Sequence, residues 1–345
     1  MPMDALEFVL LTNIDDLFKH KDGYSAVYIL SILNMKKFLY KILLFTLLVT
    51  LCAFGLDLFL SWRLRSNENR MYAAWNQVYN SNIDYDLVVN GSSRAWTQYS
   101  PLILDSILDI NSFNLGIDGS AINRQIIKYK KYRELHGTPL YLIQNIDLGT
   151  MGYTYGYERE QFFPYFFYDK DLILEYDQYE NFSFIEKYYP CYRYIGYKEV
   201  LLEALFHDNT GHYFEYLTKG YLGRWDKWDG YQLAKQDKVE CACDTSAIKI
   251  FEEFLNEVTH EGTKVIFVYA PVFYEVREKM VNEKQMYEMY DTIAQHFAIP
   301  ILDYNDIPMC YDTTYFYNGT HLNKIGAEMF TTKLAHDIDS IGFLK

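Results

Sequence analysis

The sequence predicts an α/β fold: a three-layer α/β/α sandwich on a mostly parallel sheet of about five strands, behind an N-terminal transmembrane helix. Three observations predict it. From Tyr85 onward, short β-rich apolar runs alternate with segments of helical period, the pattern of a parallel sheet wrapped by helices on both faces. The run "KVIFVYAP" (264–271) has no polar alternation, so its strand is buried on both faces, as in parallel sheets. Residues 42–56 carry no charge at all. The chain has 345 residues, half of them hydrophobic, enough to bury a sizeable core.

The elements follow in order. Residues 38–62, "FLYKILLFTLLVTLCAFGLDLFLSW", can cross a ~30 Å hydrocarbon core with Lys41 snorkelling at one end and Trp62 at the other interface. "MKKFLYK" just before is the positive flank of an export signal, and no small-residue cleavage site follows the run. Residues 35–62 therefore read as an uncleaved signal anchor. Lys36, Lys37 and Lys41 would hold the N-terminus in the cytoplasm, while Arg63 and Arg65 on the far side weaken that bias. Met35-Lys36-Lys37 also reads as a natural start of translation. Residues 1–34 are then either an upstream extension or a short cytoplasmic helix pair. Residues 63–345 form the extracytoplasmic domain.

In that domain "YDLVVN" (85–90) is a strand ended by Gly91, and "SFNLG" (112–116) a shorter one. "AINRQIIKYKKYREL" (121–135) has apolar residues at helical spacing. "PLYLIQNI" (139–146) is a buried strand. "SAIKIFEEFLNEVTHEG" (246–262) puts Ile248, Phe251, Leu255 and Val258 on one helical stripe and ends at Gly262. After the strand at 264–271 come a helix at 285–297, a strand at 299–304 and a last helix at 323–338. Between about 150 and 245 the rhythm breaks. That tyrosine-, phenylalanine- and acid-rich segment reads as an insertion after the third strand, on the carboxyl edge of the sheet, where it would build one wall of a cleft.

Composition narrows the function. The net charge is −14, a poor match to nucleic acid, whose phosphates demand a basic surface. The 34 tyrosines and 23 phenylalanines suit sugar-binding faces or, equally, large cores. The five cysteines form no CxxC and no Cys/His cluster with zinc spacing. No disulfide framework is expected, although a single Cys191–Cys310 bridge stays open. No metal or cofactor is implied.

Ligands of parallel α/β sheets bind at the carboxyl ends of the strands. Ser93 follows the first strand, Gly119 the second, and Asn145 closes the third. His321, in "YNGTHLNKIGA" (317–327), stands just ahead of the last helix. Taken singly, Gly91-Ser92-Ser93 is a common turn and His321 a capping or surface histidine. Taken in order, the blocks "NGSSR", "NLGIDGS", "IQNIDL" and "NGTHLN" resemble those of the SGNH, or GDSL-type, hydrolase family. The resemblance covers about 85–330, interrupted by the insertion. The membrane-anchored members that modify bacterial cell-surface polymers are the closer likeness.

The resemblance implies roles. Ser93 would be the nucleophile and His321 its general base, with a pKa near the working pH. The backbone N–H groups of Ser93 and Gly119 and the Asn145 amide would form the oxyanion hole. Ser92 is the rival nucleophile, and Arg94 is expected to pair with an acid at the sheet edge. Two departures stand out. Asn318 occupies the position of the triad acid, with Asp303, Asp306 or Asp312 as substitutes to consider. A strict alignment of the third block puts Ile146 where the asparagine belongs and Asp147 on the final acid. Asn145 is then one residue early and, on a regular strand, faces the other side.

The expected activity is acyl-ester chemistry through an acyl-serine. It would be that of an esterase or deacetylase if water resolves the intermediate, and of an O-acyltransferase if a sugar hydroxyl does. The expected partners are the membrane and an acylated carbohydrate or other small ester, with acetylated surface polysaccharide foremost. The rival expectation is an impaired SGNH fold that binds or scaffolds glycan; a third has residues 1–62 docking a membrane assembly. Tyr153, Tyr155 and Tyr157 would line a cleft or form one face of a strand, and His207, His212 and His260 would be solvated.

Overall fold

The computed structural model describes residues 23–68, 70–81, 84–152, 159–206, 217–230 and 237–344. Most of the N-terminal extension, the tyrosines at 153, 155 and 157, His207 and His212 lie outside the described residues. The chain divides into two units after Leu58.

The first unit is the body of helix α1, Gly23–Arg65. Leu43, Phe45, Leu48 and Leu51 are each more than half exposed. Such a surface is stable only in an apolar medium or under a cover. Among the described residues this is the one helix long and apolar enough to cross a membrane, over Leu30–Arg65. It is longer than the 35–62 read from the sequence and runs without a break through Met35. Arg63 and Arg65 lie in its last turn, where cations complement the carbonyl end of the helix.

The second unit is built on five parallel strands in the order β2-β1-β3-β4-β5. They are β1 Leu87–Asn90, β2 Ser112–Asn114, β3 Tyr141–Asn145, β4 Lys264–Tyr269 and β5 Ile301–Asp303. The pairing is in register through Val88↔Phe113, Val88↔Leu142, Ile143↔Ile266 and Val268↔Leu302. Side chains alternate between two cores, as the pleat dictates. Val88, Leu142, Ile146, Val265 and Phe267 pack under α5 (Ile122–His136), α9 (Thr245–His260) and α11 (Glu283–Phe297). Leu87, Val89, Ile143, Ile266 and Val268 pack under α3 (Ser93–Gln98), α4 (Pro101–Leu108), the short α10 (Tyr274–Glu278) and α12 (Lys324–Ser340). This is the predicted three-layer sandwich. The sheet also contains a topological switch point. The chain leaves β1 for β2 on one side and returns to β3 on the other, so the loops after β1 and β3 open a crevice.

The insertion has a core of its own. Its first part forms a 3-10 helix at Arg159–Tyr165, then α6 Lys170–Glu180, α7 Phe184–Tyr188 and α8 Lys198–Phe206. These build a third, aromatic core of their own with α2 (Arg70–Asn80). Trp75 is fully buried there against Phe162 and Tyr176, with ring centroids at 5.7 and 5.8 Å. Much of the tyrosine and phenylalanine content therefore fills core. The later part of the insertion returns to the sheet. The Asn114 N–H donates to the Lys219 carbonyl (2.9 Å), which covers the edge strand β2.

None of the five cysteines is in a disulfide. Cys310 is not bridged to Cys191. Its buried thiol donates instead to the Tyr304 carbonyl (3.2 Å). His260 is exposed at the end of α9.

Candidate active site

Strand β1 ends at Asn90, and Gly91 turns the chain into α3, whose first residue is Ser93. The turn is tight. A Cβ on Gly91 would stand 2.6 Å from the Ala95 Cβ and 2.8 Å from the Asn145 Cβ. Gly116, in the second block, meets backbone. A Cβ there would lie 2.2 Å from the Trp96 nitrogen and 2.5 Å from its Cα. The loop after β2 thus presses on the helix that carries Ser93. Gly116→Ala must separate the two, and overpacking of this kind typically costs ~1–3 kcal/mol. An unfolding free energy lowered by that amount in a denaturant titration, with Ser93 reactivity lost in parallel, is the expected outcome.

The histidine comes from an antiparallel pair, β6 Phe316–Asn318 and β7 His321–Leu322, with Asn318 opposite His321. Asn323 fixes this hairpin to α12. It caps the helix by accepting from the Gly326 N–H (3.0 Å) and donates to the Thr314 carbonyl (2.7 Å). His321 Nε2 then stands 2.7 Å from Ser93 Oγ. Two residues 228 positions apart in sequence are brought into hydrogen-bond contact. Both are part-exposed, within reach of a substrate.

Asn318 occupies the place of a triad acid. Its Oδ1 lies 2.9 Å from His321 Nδ1 and accepts from the backbone N–H groups of Thr320 and His321, each at 3.0 Å. Those two donors decide the orientation of the amide, since an NH₂ cannot accept from them. The carbonyl oxygen must therefore face the ring. Nδ1 then carries the proton and Nε2 presents its lone pair to Ser93, the tautomer a general base needs. The Thr320 hydroxyl is 2.9 Å from the same Nδ1. Among the described residues, none of the three candidate aspartates takes the place of Asn318 at His321. Asp303 binds Asn305 (2.9 Å), Asp306 accepts from Tyr311 (2.5 Å), and Asp312 accepts from Thr314 (2.9 Å).

Without a carboxylate at Nδ1, the imidazolium has little to stabilise it. Burial first, and then the Arg94 guanidinium, push the His321 pKa down to about 4, with Arg224 adding to the effect and Asp147 opposing it. This corrects the expectation of a pKa near the working pH. The ring is also held by a stack that the sequence did not announce. Tyr317 lies parallel to it (centroids 5.2 Å, 14°), and the Arg224 guanidinium covers Tyr317 at 4.9 Å. Tyr317 neighbours a recognised block. Arg224 lies in the aperiodic insertion and carried no signal.

The rival serine is engaged elsewhere. Ser92 is buried and donates to Asp147, which also pairs with Arg94. Arg94 thus pairs with an acid at the end of β3, as expected. Ser92 makes no capping bond to α3, so its side chain does not take up the first-turn N–H groups of that helix.

Asn145 corrects the count of strand faces. Ile143 packs in the core under α3 and α12, whereas Ile146 packs in the opposite one. Asn145 shares the face of Ile143, the face of Ser93 and His321. Its Oδ1 accepts from the Tyr99 hydroxyl (2.6 Å), and its Nδ2 is buried without a partner. An unpaired buried donor costs about 1–3 kcal/mol, and such costs gather where a ligand is to be met. Gly119 sits in the turn after β2 with a left-handed backbone (φ +57°), which glycine adopts without strain. Its loop is tied to the turn after β1 through the Ile117 N–H and the Gly91 carbonyl (3.2 Å). Among the described residues, no group of three or more His, Cys, Asp or Glu side chains is placed to hold a metal ion.

No family model and no curated protein matches the chain. Solved structures that are similar to it in part include the following two. One is a "putative acylhydrolase" of Bacteroides fragilis NCTC 9343, at 11% identity and a TM-score of 0.36, covering 74% of this chain and 89% of that one. The other is a "possible lipase" of Chitinophaga pinensis DSM 2588, at 10% identity and a TM-score of 0.37, covering 74% of this chain and 98% of that one.

Proposed function

We propose that the chain is a membrane-anchored serine acyl-ester hydrolase or O-acyltransferase of the SGNH type, acting on acetylated surface polysaccharide. The observation that carries this reading is the 2.7 Å contact from Ser93 Oγ to a His321 Nε2 whose tautomer Asn318 fixes. Ser93 Oγ attacks the ester carbonyl as Nε2 takes its proton. The carbonyl oxygen becomes an oxyanion, met by the N–H groups of Ser93 and Gly119 and by the free Nδ2 of Asn145; one such donor is worth ~3 kcal/mol to the transition state. The C–O bond to the leaving alcohol breaks, and His321 returns the proton to that oxygen. Water or a sugar hydroxyl then gives its proton to Nε2 and attacks the acyl-serine; the C–O bond to Ser93 Oγ breaks, Nε2 returns the proton to that oxygen, and the acid or acylated sugar leaves. Helix α1 is the signal anchor, with Lys36, Lys37 and Lys41 on the cytoplasmic side and residues 63–345 outside. The exposed Trp225, beside Arg224 in the chain, suits a sugar ring in the substrate.

A second reading rests on Asn318 and the low basicity of His321: an SGNH fold that binds glycan without turning it over. Fluorophosphonate labelling of the full chain separates the two. The enzyme reading expects a single covalent adduct, located at Ser93 by mass spectrometry. A folded sample that takes no label, or takes it elsewhere, sinks that reading in favour of the binder.

A further inference from the structure

The segment 184–206 exposes apolar side chains at an unusual density for a surface in water. Phe184, Tyr188, Tyr189, Ile195, Leu205 and Phe206 are all exposed, Phe184 at 74% and Phe206 at 70%. Their neighbours in the same segment are fixed. Arg193 and Tyr194 are buried, as are Val200 and Ala204. The exposed residues are therefore the outer side of a packed structure.

That structure is latched to the end of the candidate membrane helix. Arg193 Nη2 donates to Ser61 Oγ (3.1 Å), and the Tyr194 hydroxyl lies 2.9 Å from the same oxygen. Arg63 Nε donates to the Ala204 carbonyl (3.1 Å), and Asn67 Nδ2 to Glu203 (3.1 Å). Phe59 and Trp62, at the same end of α1, stay exposed with their rings 6.1 Å apart. Tryptophan and tyrosine belong at the level of the headgroups, where a ring meets apolar and polar surroundings at once. A membrane-bound helix that ends here has Arg193, Tyr194, Glu203 and Ala204 against its last turns and Asn67 just beyond, all four in the segment that carries the exposed Tyr188, Tyr189 and Phe206.

We propose that segment 184–206 rests on the surface of the bilayer that α1 crosses, so that the domain is seated on the membrane and not merely tethered to it. This rests on the reading of α1 as a membrane span. It gives the helices of the insertion a role apart from the chemistry: fixing how the Ser93 site faces a substrate in the envelope.

The test uses the full chain in lipid nanodiscs that contain a phospholipid with a diazirine high in its acyl chain, with adducts mapped by mass spectrometry after illumination. Adducts on both α1 and 184–206 are expected. The triple variant Tyr188→Asp, Tyr189→Asp, Phe206→Asp should lose the segment's adducts about tenfold while keeping its circular dichroism, its unfolding midpoint and the adducts on α1. Adducts confined to α1 overturn the seating and leave the span intact. Adducts on neither mean that the span itself is wrong, and the proposal falls with it. Chemical cross-links between two copies through 184–206, in place of lipid adducts, overturn it in favour of self-association.

Discussion

Ser93→Ala is expected to lower kcat/KM for an aryl acetate by at least about 1,000-fold, because nucleophile and base act as a unit and the remaining oxyanion donors rescue little. Ser92→Ala should do something different. Its hydroxyl is spent on Asp147, and a hydrogen bond to a charged group contributes roughly 1.5–3 kcal/mol. The change should therefore lower stability by about that amount and turnover by less than about tenfold, the Arg94 pairing of Asp147 remaining to hold the end of β3 against α3. Steady-state rates on both variants, set beside their denaturation curves, check the pair. Large loss with Ser92→Ala and little with Ser93→Ala would reverse the assignment. Indifference to both would remove the acyl-serine altogether.

The sandwich was legible because its signals are local and redundant. The run 264–271 needs no partner to be recognised as a doubly buried strand, and Phe251, Leu255 and Val258 mark a helix face by spacing alone. The insertion was not legible. Trp75, Phe162, Tyr165 and Tyr176 pack in an irregular cluster assembled from a 3-10 helix and short helices, and such a cluster imposes no period on the sequence. The same aperiodicity hid Arg224. Asn145 was misplaced for another reason. Strand side chains alternate, so an alignment offset by one residue sends every one of them to the wrong face. The pairing of Ile143 with Ile266 fixes the face, and no block of sequence states it. The low basicity of His321 has no local signal, since it depends on burial and on Arg94 and Arg224, which lie in two stretches of chain far from it in sequence.

Asn318→Asp is expected to turn the weak base into a strong one. The carboxylate would accept from the same N–H groups of Thr320 and His321 that hold the amide now, so the turn and the Nδ1–H tautomer should persist. What changes is charge. A negative oxygen 2.9 Å from Nδ1 favours the imidazolium and raises the histidine pKa. The sign follows from which form works: neutral His321 takes the serine proton, and its protonation stops the reaction. In the wild type, with the pKa pushed down to about 4, kcat/KM should stay level from pH 8 to about 5 and fall only near pH 4. In Asn318→Asp the acid limb should move up toward the ordinary histidine range near pH 6.5. At pH 7 and above the better base should bring a gain of roughly 10- to 100-fold, since it stabilises the charge that forms in the transition state. A pH–rate profile of the two proteins reads both effects together. If the limb stays put and the rate does not rise, His321 is not the base. If the limb moves without a gain in rate, proton transfer is not limiting and the oxyanion donors or acyl release set the pace. If both move, Asn318 is an attenuator: it keeps the imidazole oriented while leaving it too weak a base for rapid turnover, as suits a catalyst whose acyl-serine must await a sugar hydroxyl instead of the nearest water.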